Sequence, residues 1–388
     1  MAEAKTPPPR SRVLSRVLFG LVLGVLFLPV LQEWTGAVRL RKLAGVENVV
    51  DTIPPTDTAW LSGQFQNNFE LRHYRWMGLR PAMVRLHNQL DYFLFGEVYR
   101  SIMIGEGDEL FRRGSMQAMR GLNYLGEEEI RLRARKTALL RDFLAARGTR
   151  LLVVFTPSKL RCMPEKLPEY VLPSRNPNNY DAMRAALLRE GVPLVDLEAI
   201  LKARMELFSF RIFPKTGTHW TDFGAVLGAQ HIVQEMNRRD GRTYRRFRAI
   251  EQTPSGQMRD TDADAGDLLN LIRDIPPDSI HYHTVQFQDD GPGIFRPKTL
   301  VIGDSFWWKV YNQDVHKKVF APGSQYRYYN YEVFSDQWEG ARYPQQFDLG
   351  QTLSGLDWLI ICINEGNMHR YPFNFTDQVL RAFNVQSP

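Results

Sequence analysis

The chain has 388 residues, 44% hydrophobic and 24% charged, which is enough for one large core or two modest ones and excludes a globally disordered protein. Its net charge of +6 comes from Lys and Arg interspersed with acids, with no basic run beyond pairs such as Arg245-Arg246; this argues against a nucleic-acid partner. Cys162 and Cys362 lie far apart with no CxxC spacing, so they form neither a metal knuckle nor a disulfide scaffold, although one disulfide stays open in an oxidising compartment.

Val17 to Leu31 is almost uniformly apolar, and the segment lengthens if Val13 and Leu14 are counted across Ser15-Arg16. Lys5, Arg10, Arg12 and Arg16 precede it, which favours a cytoplasmic N-terminus and an exported body. Thr35-Gly36-Ala37 is a candidate cleavage site, but the polar Gln32-Glu33-Trp34 step favours an uncleaved signal anchor. The expected organisation is a cytoplasmic tail at 1–12, an anchor helix at 13–35, a helical juxtamembrane region at 36–100 and a main domain at 101–388. No internal repeat and no composition shift marks a second domain.

From Glu128 the pattern alternates helix and strand, which predicts a parallel sheet covered by helices. Glu129 to Arg147 has apolar residues at helical spacing and ends before Gly148, a residue suited to follow a helix end. Leu151 to Phe155 is a short apolar run stopped by Pro157, as in a buried strand. The scheme repeats with a helix over Asn179 to Glu190 and a strand over Val192 to Leu197, and Thr221 or Asp222 can cap a helix to about Asn237. Two further apolar strands are expected at Thr299 to Ile302 and Trp358 to Ile363. Residues 240–297, rich in Asp, Gly and Pro, read as an irregular insertion.

Ser305 follows an apolar strand through Gly303-Asp304, which puts its hydroxyl at the carboxyl edge of the sheet, where sites form in α/β folds. Gly303 suits a tight turn there, and the Ser305 N–H suits a developing oxyanion. A serine needs a base to act as a nucleophile at neutral pH, and His219 in Thr218-His219-Trp220 stands in a turn just before a helix. Asn364 and Glu365 follow the last strand and reach the same edge as a candidate oxyanion donor and orienting acid. Trp220, Trp307 and Trp308 are candidates for stacking on sugar rings, with simple packing as the equal alternative; Lys159 and Arg161 are candidates for contacting an anionic polysaccharide, with a structural loop as the better reading. His281 and His283 alternate on one strand face, but no third ligand accompanies them, and neither a metal nor a cofactor is expected.

Four blocks in order, Ser101 to Phe111, Leu151 to Pro168, Thr218-His219-Trp220 and Gly303-Asp304-Ser305-Phe306, resemble those of the AlgX/AlgJ family. The resemblance covers most of the chain from about Trp60. It implies an SGNH-hydrolase-like three-layer α/β/α domain behind an N-terminal membrane anchor helix. It also implies exopolysaccharide O-acetylation in the periplasm, a polysaccharide substrate, and a membrane-bound O-acyltransferase partner that delivers the acetyl group at the inner membrane. The histidine precedes the serine, as in that family.

One departure stands out. The family motif D-x-H-W places Asp where this chain has Gly217. Three completions stay open: another carboxylate such as Asp222 or Glu365 orients His219, a backbone carbonyl does so, or the domain is inactive. The leading expectation is a Ser305/His219 acyl-enzyme acetyltransferase. The alternatives are a noncatalytic polysaccharide-binding or assembly subunit and a periplasmic carbohydrate esterase.

Overall fold

The computed structural model describes residues 9–45, 52–98, 101–168, 171, 176–207, 211–288 and 291–386. Residues 1–8 of the expected tail lie outside that set. The chain divides into two compact units, one of residues 1–99 with 267–274 and one of 100–266 with 275–388.

In the first unit, one helix runs Pro9–Thr35, and its stretch Val13–Thr35 is long and apolar enough to cross a membrane. At 1.5 Å per residue those 23 residues reach about 35 Å, against a hydrocarbon core of about 30 Å. The helices Asp57–Leu61, Gln64–Trp76 and Arg80–Phe95 follow. Buried Arg85 donates to the carbonyls of Leu271 (3.0 Å) and Lys42 (2.9 Å), and Arg41 pairs with Asp274 at 2.7 Å. These bonds explain why a segment distant in sequence belongs to this unit.

The second unit is built on six strands: β1 (Arg150–Thr156), β2 (Leu194–Asp196), β3 (Thr299–Gly303), β4 (Gln325–Tyr328), β5 (Glu332–Ser335) and β6 (Trp358–Asn364). Their order is β5-β4-β3-β6-β1-β2, and all neighbours are parallel except β4 and β5. The sheet is therefore mixed rather than purely parallel. The three residues between Tyr328 and Glu332 can join only antiparallel neighbours, since a parallel return needs a long crossover.

Helices α1 (Glu127–Ala145), α2 (Asn179–Arg189), α3 (Asp222–Asp240), α4 (Trp307–Asn312) and α5 (Phe375–Ala382) cover the sheet. Successive strand residues point to opposite faces. Leu151, Val153 and Phe155 share a core with Ile130 and Leu140 of α1, Met183 of α2 and Val379 of α5. Leu152, Val154 and Ile360 join Phe223 and Ile232 of α3 and Val310 of α4 in another. Burial on both faces is why these strands read as unbroken apolar runs. Truncating such a residue, as in Leu152→Ala, would cost about 2–5 kcal/mol.

Residues 240–297 are more ordered than their composition predicts. Phe247–Ser255 pairs antiparallel with Ile280–Phe287, with a register shift between Glu251 and Pro254, where proline lacks a ladder donor. The loop between those two strands carries a 3-10 turn, Asp260–Ala263, and a short helix, Asp264–Leu268.

Candidate active site

Ser305 lies in the turn between β3 and α4, at the carboxyl edge of the sheet. His219 precedes α3, whose N-cap Thr221 accepts a hydrogen bond from Gly224 N–H at 3.2 Å and so fixes where the chain enters the helix. The His219 Nε2 atom is 2.8 Å from Ser305 Oγ, and its Nδ1 atom is 2.8 Å from Asp264 Oδ2. An ionised carboxylate only accepts, so Nδ1 carries the proton and Nε2 is left to accept from the serine hydroxyl.

Asp264 is held in turn by Thr218, whose N–H donates to Oδ1 (2.7 Å) and whose hydroxyl donates to Oδ2 (2.8 Å). Burial alone would push this carboxyl up, but the hydrogen bonds from His219 and Thr218 outweigh it and hold it below the usual carboxylate range. It therefore stays ionised at neutral pH. Thr216 ties the same segments, its carbonyl accepting from Gly266 N–H (2.9 Å) and its hydroxyl donating to Asp262 O (3.3 Å).

The two acids expected to orient His219 do other work. Asp222 pairs with Lys309 at 3.0 Å, because its place as first residue of α3 turns it toward α4. Glu365 is buried and accepts from Ser158 (2.5 Å) and from Arg161 Nε (2.7 Å). Burial pushes its carboxyl up, against the pull of Arg161. The carboxylate facing Nδ1 thus comes from Asp264, inside the segment read as irregular. Its only sequence signal was a run of closely spaced Asp residues, 260, 262, 264 and 267, whose partner nothing local reveals.

Gly217 shows why the acid stands elsewhere. A Cβ at that position would come within 2.6 Å of Pro214 Cγ and 2.7 Å of the carbonyl oxygens of Asp262 and Thr261. The backbone leading to Asp264 occupies the space that an aspartate side chain at this position would need. Glycine is required there for close approach and not for a left-handed φ.

The candidates for oxyanion or site support, Gly303, Asp304 and Asn364, lie around the Ser305 turn. Asp304 is fully buried and accepts from Asn364 N–H (2.6 Å), Asn367 Nδ2 (2.9 Å) and Phe306 N–H (3.1 Å), so it braces the turn that presents Ser305. Burial pushes its carboxyl above the usual range, against those hydrogen bonds. Asn364 spends both amide hydrogens on the carbonyls of Thr156 (3.0 Å) and Pro157 (3.1 Å), which leaves none for an oxyanion. Gly303 ends β3 without a left-handed φ, and its carbonyl accepts from Tyr329 N–H.

Trp220 and Trp307 face the core, and Trp308 is half-buried against it. Trp220 is fully buried and donates to Phe306 O at 3.0 Å, and Trp307 donates to His316 at 3.3 Å. Trp308 packs against Phe334 and Tyr326, with ring centroids 4.5 and 5.0 Å away. Lys159 is buried, paired with Glu109 at 2.7 Å and donating to the carbonyls of Pro214 and Lys215, so it braces the turn before His219. Burial pushes its ammonium down to about 8. The Trp220 and Trp307 rings and the Lys159 ammonium are buried, while Trp308 is half-buried.

His283 stacks on Phe223 at 4.6 Å, and among the described residues no group of three or more His, Cys, Asp or Glu is placed to hold a metal. Cys162 and Cys362 are free and buried.

A hollow of about 420 Å³ opens over Ser305 and His219. Its walls include Arg112, Arg113, Ser158, Asn364 and Asn367. Sequence reading missed the two arginines, which carry no motif of their own. The arrangement has a hydroxyl, a base that can take its proton, an acid that steadies the resulting cation, and cationic side chains at the rim.

A family model described as "SGNH hydrolase-like domain, acetyltransferase AlgX" matches residues 102–307, more than half of the chain. The probable alginate O-acetylase AlgJ of Pseudomonas syringae pv. tomato is 25% identical over 225 residues, 57% of this chain and 52% of that protein. The probable alginate O-acetylase AlgJ of Azotobacter vinelandii is 24% identical over 249 residues, 60% of either chain. The chain thus spans about half to three-fifths of the length of these curated relatives. The solved O-acetyltransferase domain of Pseudomonas putida AlgJ has a TM-score of 0.50 at 16% identity, covering 73% of this chain and 99% of that one, which is a likeness of fold.

Proposed function

From the premise that the chain belongs to the SGNH hydrolase-like acetyltransferase AlgX family, we propose that it transfers acetyl groups to hydroxyls of an exported polysaccharide through an acetyl-Ser305 intermediate. The observation that carries the reading is the line Asp264–His219–Ser305, each link 2.8 Å long.

Ser305 Oγ attacks the acetyl carbonyl of the donor while His219 Nε2 takes the hydroxyl proton. Asp264 steadies the imidazolium, and the Ser305 N–H receives the negative charge that forms on the carbonyl oxygen. His219 returns the proton to the leaving group, and the acetyl group remains on Ser305. A sugar hydroxyl then enters, gives its proton to Nε2 and attacks the ester. Serine is regenerated when that proton returns to Oγ.

The Pro9–Thr35 helix supports a single-pass anchor that keeps the domain near the membrane, with an O-acyltransferase embedded in that membrane as acetyl source. The relatives named alginate O-acetylases support a polysaccharide acceptor.

The test incubates the purified protein with an activated acetyl ester and records intact mass. One acetyl adduct, absent from Ser305→Ala and His219→Ala, is expected, followed by its loss to an added glycan. Adduct loss to water alone, with glycan untouched, would replace transferase by esterase. No adduct from any donor, with circular dichroism intact, would favour a binding subunit.

A further inference from the structure

A second hollow lies along the same sheet edge as the first and takes no part in the chemistry above. It holds about 510 Å³ and is walled by Tyr329, Asn330, Tyr331, Arg370, Asn374 and Gln378 among others. Tyr328 stands opposite Gly303 in the parallel β3–β4 pairing, so the chain leaves β4 at the edge where Ser305 leaves β3. Tyr329 N–H then donates to Gly303 O at 2.8 Å. Asn367, which lines the Ser305 hollow, donates from Nδ2 to Asp304 (2.9 Å) and to the Tyr329 hydroxyl (3.2 Å). One Asn367–Tyr329 wall therefore separates the two hollows.

The lining has the chemistry of a sugar site. Tyr331 is 67% exposed, an unpacked aromatic face, and the Asn374 and Gln378 amides beside it can donate to and accept from sugar hydroxyls. Among the described residues that line it, Arg370 is the one charged group, and its guanidinium sits over the Tyr329 ring at 4.5 Å. No carboxylate stands among those residues, which selects for an anionic ring over a cationic one.

The backbone of the hollow is also held in an unfavourable form. Tyr329 (φ 50°), Asn330 (φ 59°), Phe373 (φ 58°) and Asn374 (φ 59°) are all left-handed, two adjacent pairs on facing turns. Such backbone persists where surrounding structure imposes it, and it gathers at ligand clamps. Here Asn330 Nδ2 imposes it by donating to Phe373 O (3.4 Å) and Gln378 Oε1 (3.1 Å), locking the two turns together.

We infer that this hollow is an acceptor subsite that binds an anionic sugar residue of the same polymer chain whose neighbouring residue is acetylated at Ser305. The inference rests on the acetyl-transfer reading for its polymer. Its own content is that affinity for a glycan depends on length, because only a chain long enough to cross the Asn367–Tyr329 wall fills both hollows.

The experiment titrates full-length Ser305→Ala, in detergent, with alginate oligosaccharides of increasing length from the monosaccharide upward, by calorimetry. The affinity gain with length should shrink about tenfold when Tyr331→Ala or Arg370→Gln is added to that background. Tyr331 is exposed, so its removal leaves the packing intact and the result readable. A length gain identical with and without the two substitutions would overturn the inference, as would no length dependence at all. Acetyl adduct formation on the protein with Ser305 in place is scored separately, so a failure of the acetyl-transfer reading and a failure of the subsite are told apart.

Discussion

Asp264 Oδ2 lies 2.8 Å from His219 Nδ1, although 45 residues separate them in the chain. The link is made by the segment 260–266 folding back along 216–218, where Thr216 and Thr218 hydrogen-bond to Asp262, Asp264 and Gly266. An acid placed this way sets the imidazole tautomer and stabilises its cation.

Asp264→Asn should accordingly reduce acetyl-adduct formation about 10⁴-fold while leaving the fold intact, since an amide favours the wrong tautomer. Glu365→Gln should not show that loss, because its partners are Ser158 and Arg161. Stopped-flow measurement of leaving-group release from an activated acetyl ester compares the two. Equal losses would remove Asp264 from its place beside the base.

Gly217→Asp, which restores the family motif in sequence, should lower both stability and activity. Its Cβ meets two backbone carbonyl oxygens at 2.7 Å, and these belong to the segment that carries Asp264. Relieving the clash costs about 1–3 kcal/mol and moves the acid off His219. Gly217→Ala should share most of the loss, because the clash begins at Cβ. A rise in activity for Gly217→Asp, measured beside its urea midpoint, would show that the space can open.

The parts of this molecule that read clearly from sequence are those encoded locally. Leu151 to Phe155 and Trp358 to Ile363 are unbroken apolar runs because both sheet faces are covered, and Thr221 marks the start of α3 by its capping hydroxyl. Asp264 was illegible because its role depends on a loop pairing between two stretches that lack periodicity. Trp307 and Lys159 stay open between substrate contact and packing in the sequence for a related reason. Adjacency to a motif does not say which way a side chain turns, and both turn into the interior, Trp307 onto His316 and Lys159 onto Glu109. Tyr329 and Asn330 carried no signal because a left-handed φ at such residues is imposed by tertiary contacts.

The depressed carboxyl of Asp264 makes a pH prediction. Burial opposes ionisation, but hydrogen bonds from His219 and Thr218 prevail and hold the group below its ordinary value of 3.8. The native state therefore gives up this proton at a lower pH than the unfolded chain does. The stabilising contribution is whole above about 3.8 and is lost as pH falls through the lower native value. The stability gap between wild type and Asp264→Asn should be level near neutrality and close in that acid window. Urea melts across the series check it, and a gap that persists unchanged at the acid end would contradict the assignment.

Lys309 offers the last test, because it joins the three segments that carry the triad. It sits on α4, four residues after Ser305, with Nζ 3.0 Å from Asp222 at the start of α3 and 3.1 Å from Asp262, two residues before Asp264. Tyr282 closes the cluster by donating to Asp262 at 2.8 Å. Burial alone would lower the Lys309 ammonium, yet the two aspartates outweigh it and hold the group protonated. Lys309→Met would strand two buried carboxylates without their cation, which costs about 3–5 kcal/mol. Adding Asp222→Asn and Asp262→Asn to that variant should recover part of the loss, because no unpaired charge then stays buried. Urea unfolding of the single and triple variants decides the matter. A single variant within about 0.5 kcal/mol of wild type, the range of an ordinary surface change, would mean the cluster contributes nothing to holding the triad segments together.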